Sequence, residues 1–203
     1  MNTPRALTLL CAFVWVICAI RPLNLEAWIL EQFATVTALL TLVWALRGGV
    51  VFSRTSQYCI AAMIIFHTIG THFTYSLTPY DEFFQSVFGF SINELFGWQR
   101  NHYDRFVHLL YGLFLALPAA QVLMQRLHMS AKSASFLGTH VILSTSALYE
   151  LAEWVAALFV GSDLGNRYLG SQGDIWDAQA DIALAGAGST VAYVCWLLSR
   201  RRR

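Results

Sequence analysis

The chain is organised around six apolar stretches, over residues 5–20, 27–46, 57–75, 106–124, 134–160 and 177–198. Each approaches or exceeds the roughly 20 residues that a helix needs to cross the hydrocarbon core of a bilayer, the first being the shortest. β-Strands of that length are foreign to globular sheets. The expected class is therefore all-α: a polytopic membrane protein of about six transmembrane helices, forming a single integral membrane domain over residues 1–203. Composition agrees, because 57% of residues are hydrophobic and 12% charged, a balance that excludes an ordinary soluble domain.

Arg5 ahead of the first apolar run has the flank of a signal peptide. No small-x-small cleavage site follows, since Val16-Ile17-Cys18-Ala19-Ile20 leads directly into Arg21-Pro22. The segment is read as an uncleaved helix. Cys11, Cys18, Cys59 and Cys195 all fall in apolar stretches without CxxC spacing, so they read as small packing residues, not as a disulfide framework or a thiolate metal site.

Short loops rich in Lys and Arg stay in the cytoplasm. With six spans, Arg5, Arg47, Arg54, Arg126, Lys132 and Arg200 to Arg203 fall on one side, and Arg21, Arg100, Arg105 and Arg167 on the other, nine against four. Both termini are thus expected in the cytoplasm. The terminal arginine run abuts a span and reads as a topology anchor; no nucleic-acid partner is expected. All twelve acids, Glu26, Glu31, Asp81, Glu82, Glu94, Asp104, Glu150, Glu153, Asp163, Asp174, Asp177 and Asp181, then fall in outer loops or outer parts of helices. Acids contribute little to topology, so their segregation asks for another cause. A site on the outer side supplies one.

Four stretches carry the residues for it. The third ends in His67-Thr68-Ile69-Gly70-Thr71-His72, and the fourth opens on Asn101-His102-Tyr103-Asp104-Arg105-Phe106-Val107-His108. The fifth carries Tyr149-Glu150-Leu151-Ala152-Glu153-Trp154, and Asp174, Asp177 and Asp181 lead into the sixth. Asp104 and His108 share a helix face that continues to Gly112. Glu150 and Glu153 share one that continues to Ala157, and the three aspartates lie on a stripe that continues as Ala185 and Gly188. Acidic faces that turn into small-residue faces deeper down are what inward-facing stripes between close helices require. His67 and His72 are roughly 140° apart around a helix after one full turn, so both can join a site only if the helix ends between them, and His67 is the better candidate.

Gathered carboxylates near a bilayer need an offsetting positive charge. Protons, Arg105 or Arg167, or a divalent metal could provide it. Imidazole nitrogens with carboxylate oxygens suit zinc, manganese or iron, and helix-borne His and carboxylate pairs build metal sites in bundle cores. The expected ligands are His67, Asp104, His108, Asp177 and Asp181, with His72 and Asp174 as possible additions. Glu150 or Glu153 would be the general base, and Arg105 or Arg167 could hold a phosphate headgroup. The plain alternative is a structural hydrogen-bond network. His128 and His140 read as packing or interface residues, His102 as solvated, and Glu26 and Glu31 as solvated or interfacial.

Between the third and fourth stretches, Phe83, Phe84, Val87 and Phe88 recur at amphipathic helix spacing. Ser91-Ile92-Asn93-Glu94 then forms a capping-box pattern ahead of Leu95, Phe96 and Trp98. One or two short helices on the outer membrane surface are expected, as anchor or lid. The glycines at 161, 165, 170 and 173 mark a loop that feeds the Asp174 segment.

The runs HTIGTHFTY, NHYDRFVHLLYG, YELAEW and LGSQGDIWDAQAD resemble the uncharacterised YjdF family of bacterial inner-membrane proteins, a domain of unknown function, across nearly the whole chain. That resemblance implies a multi-pass inner-membrane location and carries no reaction. Three functional classes follow from the residues. The leading one is a metal-dependent hydrolase acting on a membrane lipid or lipid-linked substrate. The others are a cation- or proton-coupled transporter, disfavoured by the lack of an internal repeat, and a non-catalytic structural membrane protein.

Overall fold

The computed structural model describes residues 3–159, 165 and 171–201. Its elements are α1 (Thr3–Ala19), α2 (Leu25–Arg47), α3 (Arg54–His72), α4 (Tyr80–Phe88), α5 (Ile92–Phe96), α6 (Tyr103–Arg126), α7 (Ala131–Phe159) and α8 (Asp177–Arg201), with no strand among the described residues. Each apolar stretch becomes one long helix. Four of them, α2, α6, α7 and α8 through Ser199, are long and apolar enough to cross a membrane. Of the other two expected spans, α1 is shorter, at 17 residues, and α3 is diluted by Ser56, Gln57, His67, Thr68, Thr71 and His72.

Local chemistry sets the helix ends. Asn24 accepts the Ala27 amide at 2.8 Å to start α2, and Ser53 accepts the Ser56 amide to start α3. The capping pattern at Ser91 is realised, with its Oγ accepting the Glu94 amide at 2.9 Å. Gly89 and Gly97 close α4 and α5 in the left-handed region. At the opposite end of the bundle, Gln121, Gln125 and Arg126 of α6 hydrogen-bond the backbone of residues 48–53 and fasten that turn to the bundle.

Helix α6 is central, packed against α8, α7 and α3, while α7 also packs on α8 and α1 on α3. The burial pattern inverts that of a soluble protein. Phe13, Phe33, Leu40, Leu148 and Phe159 are exposed, whereas Ala134, Ala185 and Ser189 are wholly buried. Without a hydrophobic drive between helices in lipid, small residues that let backbones touch supply the association. The α6–α8 crossing takes this furthest: a Cβ on Gly112 would stand 2.0 Å from the Ala185 carbonyl oxygen, and one on Gly188 would stand 2.2 Å from that of Leu109. Each helix therefore puts a glycine against the other's backbone, continuing the stripes of Asp104–His108 and Asp181.

Beyond α3 the chain makes a tight turn in which Thr74 and Tyr75 both adopt the left-handed region, at φ 54° and 52°. This is uncommon for a β-branched residue. It folds the Tyr75 ring over Gly70, where a Cβ would meet ring atoms at 2.6–2.9 Å, and the Tyr75 amide donates to the Gly70 carbonyl at 2.7 Å.

Substituting Val for Gly112 or Gly188 forces the two backbones apart and is expected to cost about 3 kcal/mol or more, at the upper end of overpacking effects. Gly186→Ala should be nearly neutral, because its added methyl meets only the flexible Leu143 Cδ1 at 3.1 Å. Thermal unfolding in detergent, with the three variants side by side, checks the contrast.

Candidate metal centre

The polar residues of the bundle form two layers. The outer layer is an ion-pair cluster. Arg100, in the segment before α6, reaches Asp174 Oδ2 at 3.0 Å and Asp177 Oδ1 at 2.7 Å, and donates to the Ser171 carbonyl at 2.5 Å. Arg105, on the first turn of α6, bonds the same oxygen of Asp174 and lies 3.5 Å from Asp177. Gln172 and Asn101 exchange side-chain to backbone hydrogen bonds at 2.9 and 3.0 Å, tying the approach to α8 onto the approach to α6. The Trp176 amide, with Arg105 and Arg100 beyond it, holds the Asp174 carboxyl below the ordinary carboxylate range.

The inner layer begins one residue away. Asp104 lies about 100° around α6 from Arg105 and so faces another neighbour. Its Oδ1 is 3.6 Å from Nε2 of His108, one turn further on. That same nitrogen is 3.2 Å from Glu150 Oε1 of α7, and Nδ1 is 3.4 Å from Ser146 Oγ. Asp181 of α8 completes the group: Asp104, His108 and Asp181 each present a ligand atom, all within 4.8 Å of one another. His108 is 7% exposed and Asp181 2%. Asp181 Oδ1 is buried with no hydrogen-bond partner. Two ligands of a tetrahedral zinc stand roughly 3.4 Å apart for bonds of about 2.1 Å, so this set is a slightly opened coordination face.

Beyond it lies a wall of further acids. Glu31 of α2, expected to be solvated, is instead 4% exposed and accepts the Tyr149 hydroxyl at 2.9 Å. The reason is that the outer part of α2 turns its Ala27–Glu31 face inward, and Tyr149 of α7 provides the partner that burial demands. Glu153 is 7% exposed and sits in the field of Glu31, Glu150 and Asp104.

Of the residues read as ligands from sequence, Asp104, His108 and Asp181 converge. Asp177 adjoins them with Oδ1 engaged by Arg100, and Asp174 belongs wholly to the ion-pair layer. His67 has both ring nitrogens occupied, Nε2 by Thr35 Oγ1 at 3.0 Å and Nδ1 by the Tyr75 hydroxyl at 2.5 Å. Helix α3 continues through His72, whose Nδ1 turns away to the Cys18 carbonyl at 2.8 Å. Arg167 and Asp163 lie outside the described residues. Sequence reasoning passed over Arg100, Glu31, Thr35 and Tyr75. The spacing Ala27–Glu31–Thr35, a small and polar face at i, i+4, i+8, was the available signal for two of them.

A family model described as predicted membrane protein (DUF2238) matches residues 3–203. The chain belongs to the DUF2238 family. The inner membrane protein YjdF of Escherichia coli (strain K12) is 38% identical over 138 residues, which cover 66% of this chain and 62% of that protein. The matched region therefore spans less than two thirds of that relative's length. No solved structure matches.

In this DUF2238 chain the two layers have different charge balances. Arg100 and Arg105 offset Asp174 and Asp177. Glu31, Asp104, Glu150, Glu153 and Asp181 have no ion pair with an arginine or lysine among the described residues; His67 and His108 accompany them, and Arg105 acts on Asp104 and Asp181 only at longer range. An uncompensated charge in a membrane interior costs at least about 2.5 kcal/mol. Protons or a cation would offset that cost.

The outer layer makes a separate prediction. Because Asp174 is depressed when folded, its contribution is present above the ordinary carboxyl range of about 3.9 and is lost as pH falls through the lower, folded value. Amide exchange of residues 171–176, corrected for intrinsic rates, should stay flat from pH 8 to 5 and accelerate only at about pH 4 or below. Arg100→Gln should remove that protection across the whole range.

Proposed function

We propose that this chain is a metal-dependent hydrolase of the inner membrane that acts on a lipid or lipid-linked substrate at the outer leaflet. In this reading six helices cross the bilayer with both termini cytoplasmic, α1 packing against α3 and α3 against α6. The short helices α4 and α5 lie on the outer surface, a placement supported by the exposure of Phe83, Val87, Phe88, Leu95 and Phe96.

The observation that carries the reading is the Asp181 carboxylate, almost wholly buried, with one oxygen unpartnered and both Asp104 and His108 in ligand range. A buried polar atom without a partner costs about 1–3 kcal/mol, and more for a charged group, so a cation of the zinc, manganese or iron class is the fitting occupant. Such a metal supplies a bound water of lowered pKa and polarises the scissile group. Glu150 stands beside His108 Nε2 and would serve as the general base, with Glu153 one turn further along α7 as its neighbour. Ser146 orients the His108 ring through Nδ1, the role usual for the second nitrogen of a ligating histidine.

A proton-coupled carrier is the second reading. The chain of hydrogen bonds from Tyr75 through His67 to Thr35 favours it, since such a chain can pass a proton between α3 and α2.

Elemental mass spectrometry of the detergent-purified chain should find close to one zinc, manganese or iron per protein. His108→Ala and Asp181→Ala should lose it. Ser146→Ala, which removes only the support of the ligand, should weaken metal affinity about 10- to 100-fold. A folded native chain that takes up no metal after supplementation would turn the assignment toward the proton-coupled reading.

A further inference from the structure

Two guanidinium groups, one from the approach to α6 and one from its first turn, converge on a single oxygen of Asp174. Both also reach Asp177, but the two aspartates differ. Asp177 opens α8 and its side chain is 12% exposed. Asp174 stands three residues earlier, in a turn, at 28%. Asp177 is thus the built-in counter-ion and Asp174 the more accessible one. With Asp174 swung out, the two arginines and Asp177 leave one net positive charge. Arg105 Nε, buried and without a hydrogen-bond partner, is one further donor at the same place.

The surroundings indicate depth. Ile175 and Trp176, next to Asp174, are 82% and 65% exposed, and Trp98, two residues before Arg100, is also exposed. Exposed tryptophans beside arginines mark the headgroup level of a bilayer. We infer that Arg100 and Arg105 form a seat for the phosphodiester of a phospholipid headgroup, with Asp174 as its exchangeable internal occupant. A phosphodiester carries a single negative charge and matches the vacancy, whereas a phosphomonoester carries about −1.5 to −2 at neutral pH and overfills it. Forked donors suit two phosphate oxygens at once. The inference rests on the outer-leaflet hydrolase reading and names its substrate class.

The test is binding, read without metal and without turnover. Chelator-treated full-length protein in neutral detergent is titrated with dioleoylphosphatidylglycerol, dioleoylglycerol or dimethyl phosphate, and bound ligand is counted by native mass spectrometry. Asp174→Asn, which keeps a side chain to accept the Trp176 amide, should bind phosphatidylglycerol about tenfold tighter than the native chain. Adding Arg105→Gln should abolish the gain, and dioleoylglycerol should not discriminate among the three. A gain for dimethyl phosphate without one for the lipid would support the seat and assign it to a soluble diester. No gain for either ligand, or a gain that survives Arg105→Gln, overturns the inference. Should Asp174→Asn fail to fold, Arg105→Lys in the otherwise native chain decides, because it keeps the charge and removes the fork. Phosphatidylglycerol affinity must then fall several-fold, and unchanged affinity sinks the idea. Metal-free protein that binds as expected but hydrolyses nothing when reloaded would leave the seat standing and remove the hydrolase.

Discussion

The close crossing of α6 and α8 is the contact on which the rest of the molecule depends. Gly112 and Gly188 bring two backbones together to a distance no side chain would allow. The polar end of the same seam is then narrow enough for Asp104 and His108 on one helix to meet Asp181 on the other. Packing and site are one stripe read at two depths. In lipid, where large apolar side chains gain little from meeting each other, this arrangement draws its stability from backbone proximity and from partners for polar groups. The exposed Phe and Leu side chains of α1, α2 and α7 follow from the same rule.

Much of this was legible in the sequence because it depends on spacing along single helices. The i, i+4 relation of Asp104 and His108, the serine cap at Ser91 and the small-residue continuations at Ala185 and Gly188 all survive as geometry. What escaped depends on how each helix is turned about its own axis relative to the bundle. Periodicity gives the angle between His67 and His72 but no absolute direction. His67 could be matched to Thr35 and Tyr75 only once α2 and the strained turn after α3 were in place. Glu31 looked like an interfacial acid because its partner, Tyr149, lies 118 residues away. Arg100 counted only as a loop charge until the approach to α8 was laid across it.

The acids sort by partner, not by position in the chain. Asp174 and Asp177 have guanidinium partners, and the acids of the inner layer have histidines, hydroxyls and one another. A purely structural network would gain little from stacking five carboxylates below the arginines. Replacing a buried charged set with apolar residues is often neutral or stabilising. The arrangement is intelligible when the lower layer works with a cation or mobile protons and the upper layer governs what approaches it.

Asp104 and Arg105 are consecutive residues that serve different layers, and this gives the bundle a mechanical property. Because neighbours on a helix diverge by about 100°, any turn of α6 about its axis carries the ligand out of the lower layer and the guanidinium out of the upper one together. The helix is geared to both, and the glycine contact with α8 locks it further down. Asp174, which lies ahead of α8 and not on α6, is the one acid of the upper layer pair whose place is set by neither helix.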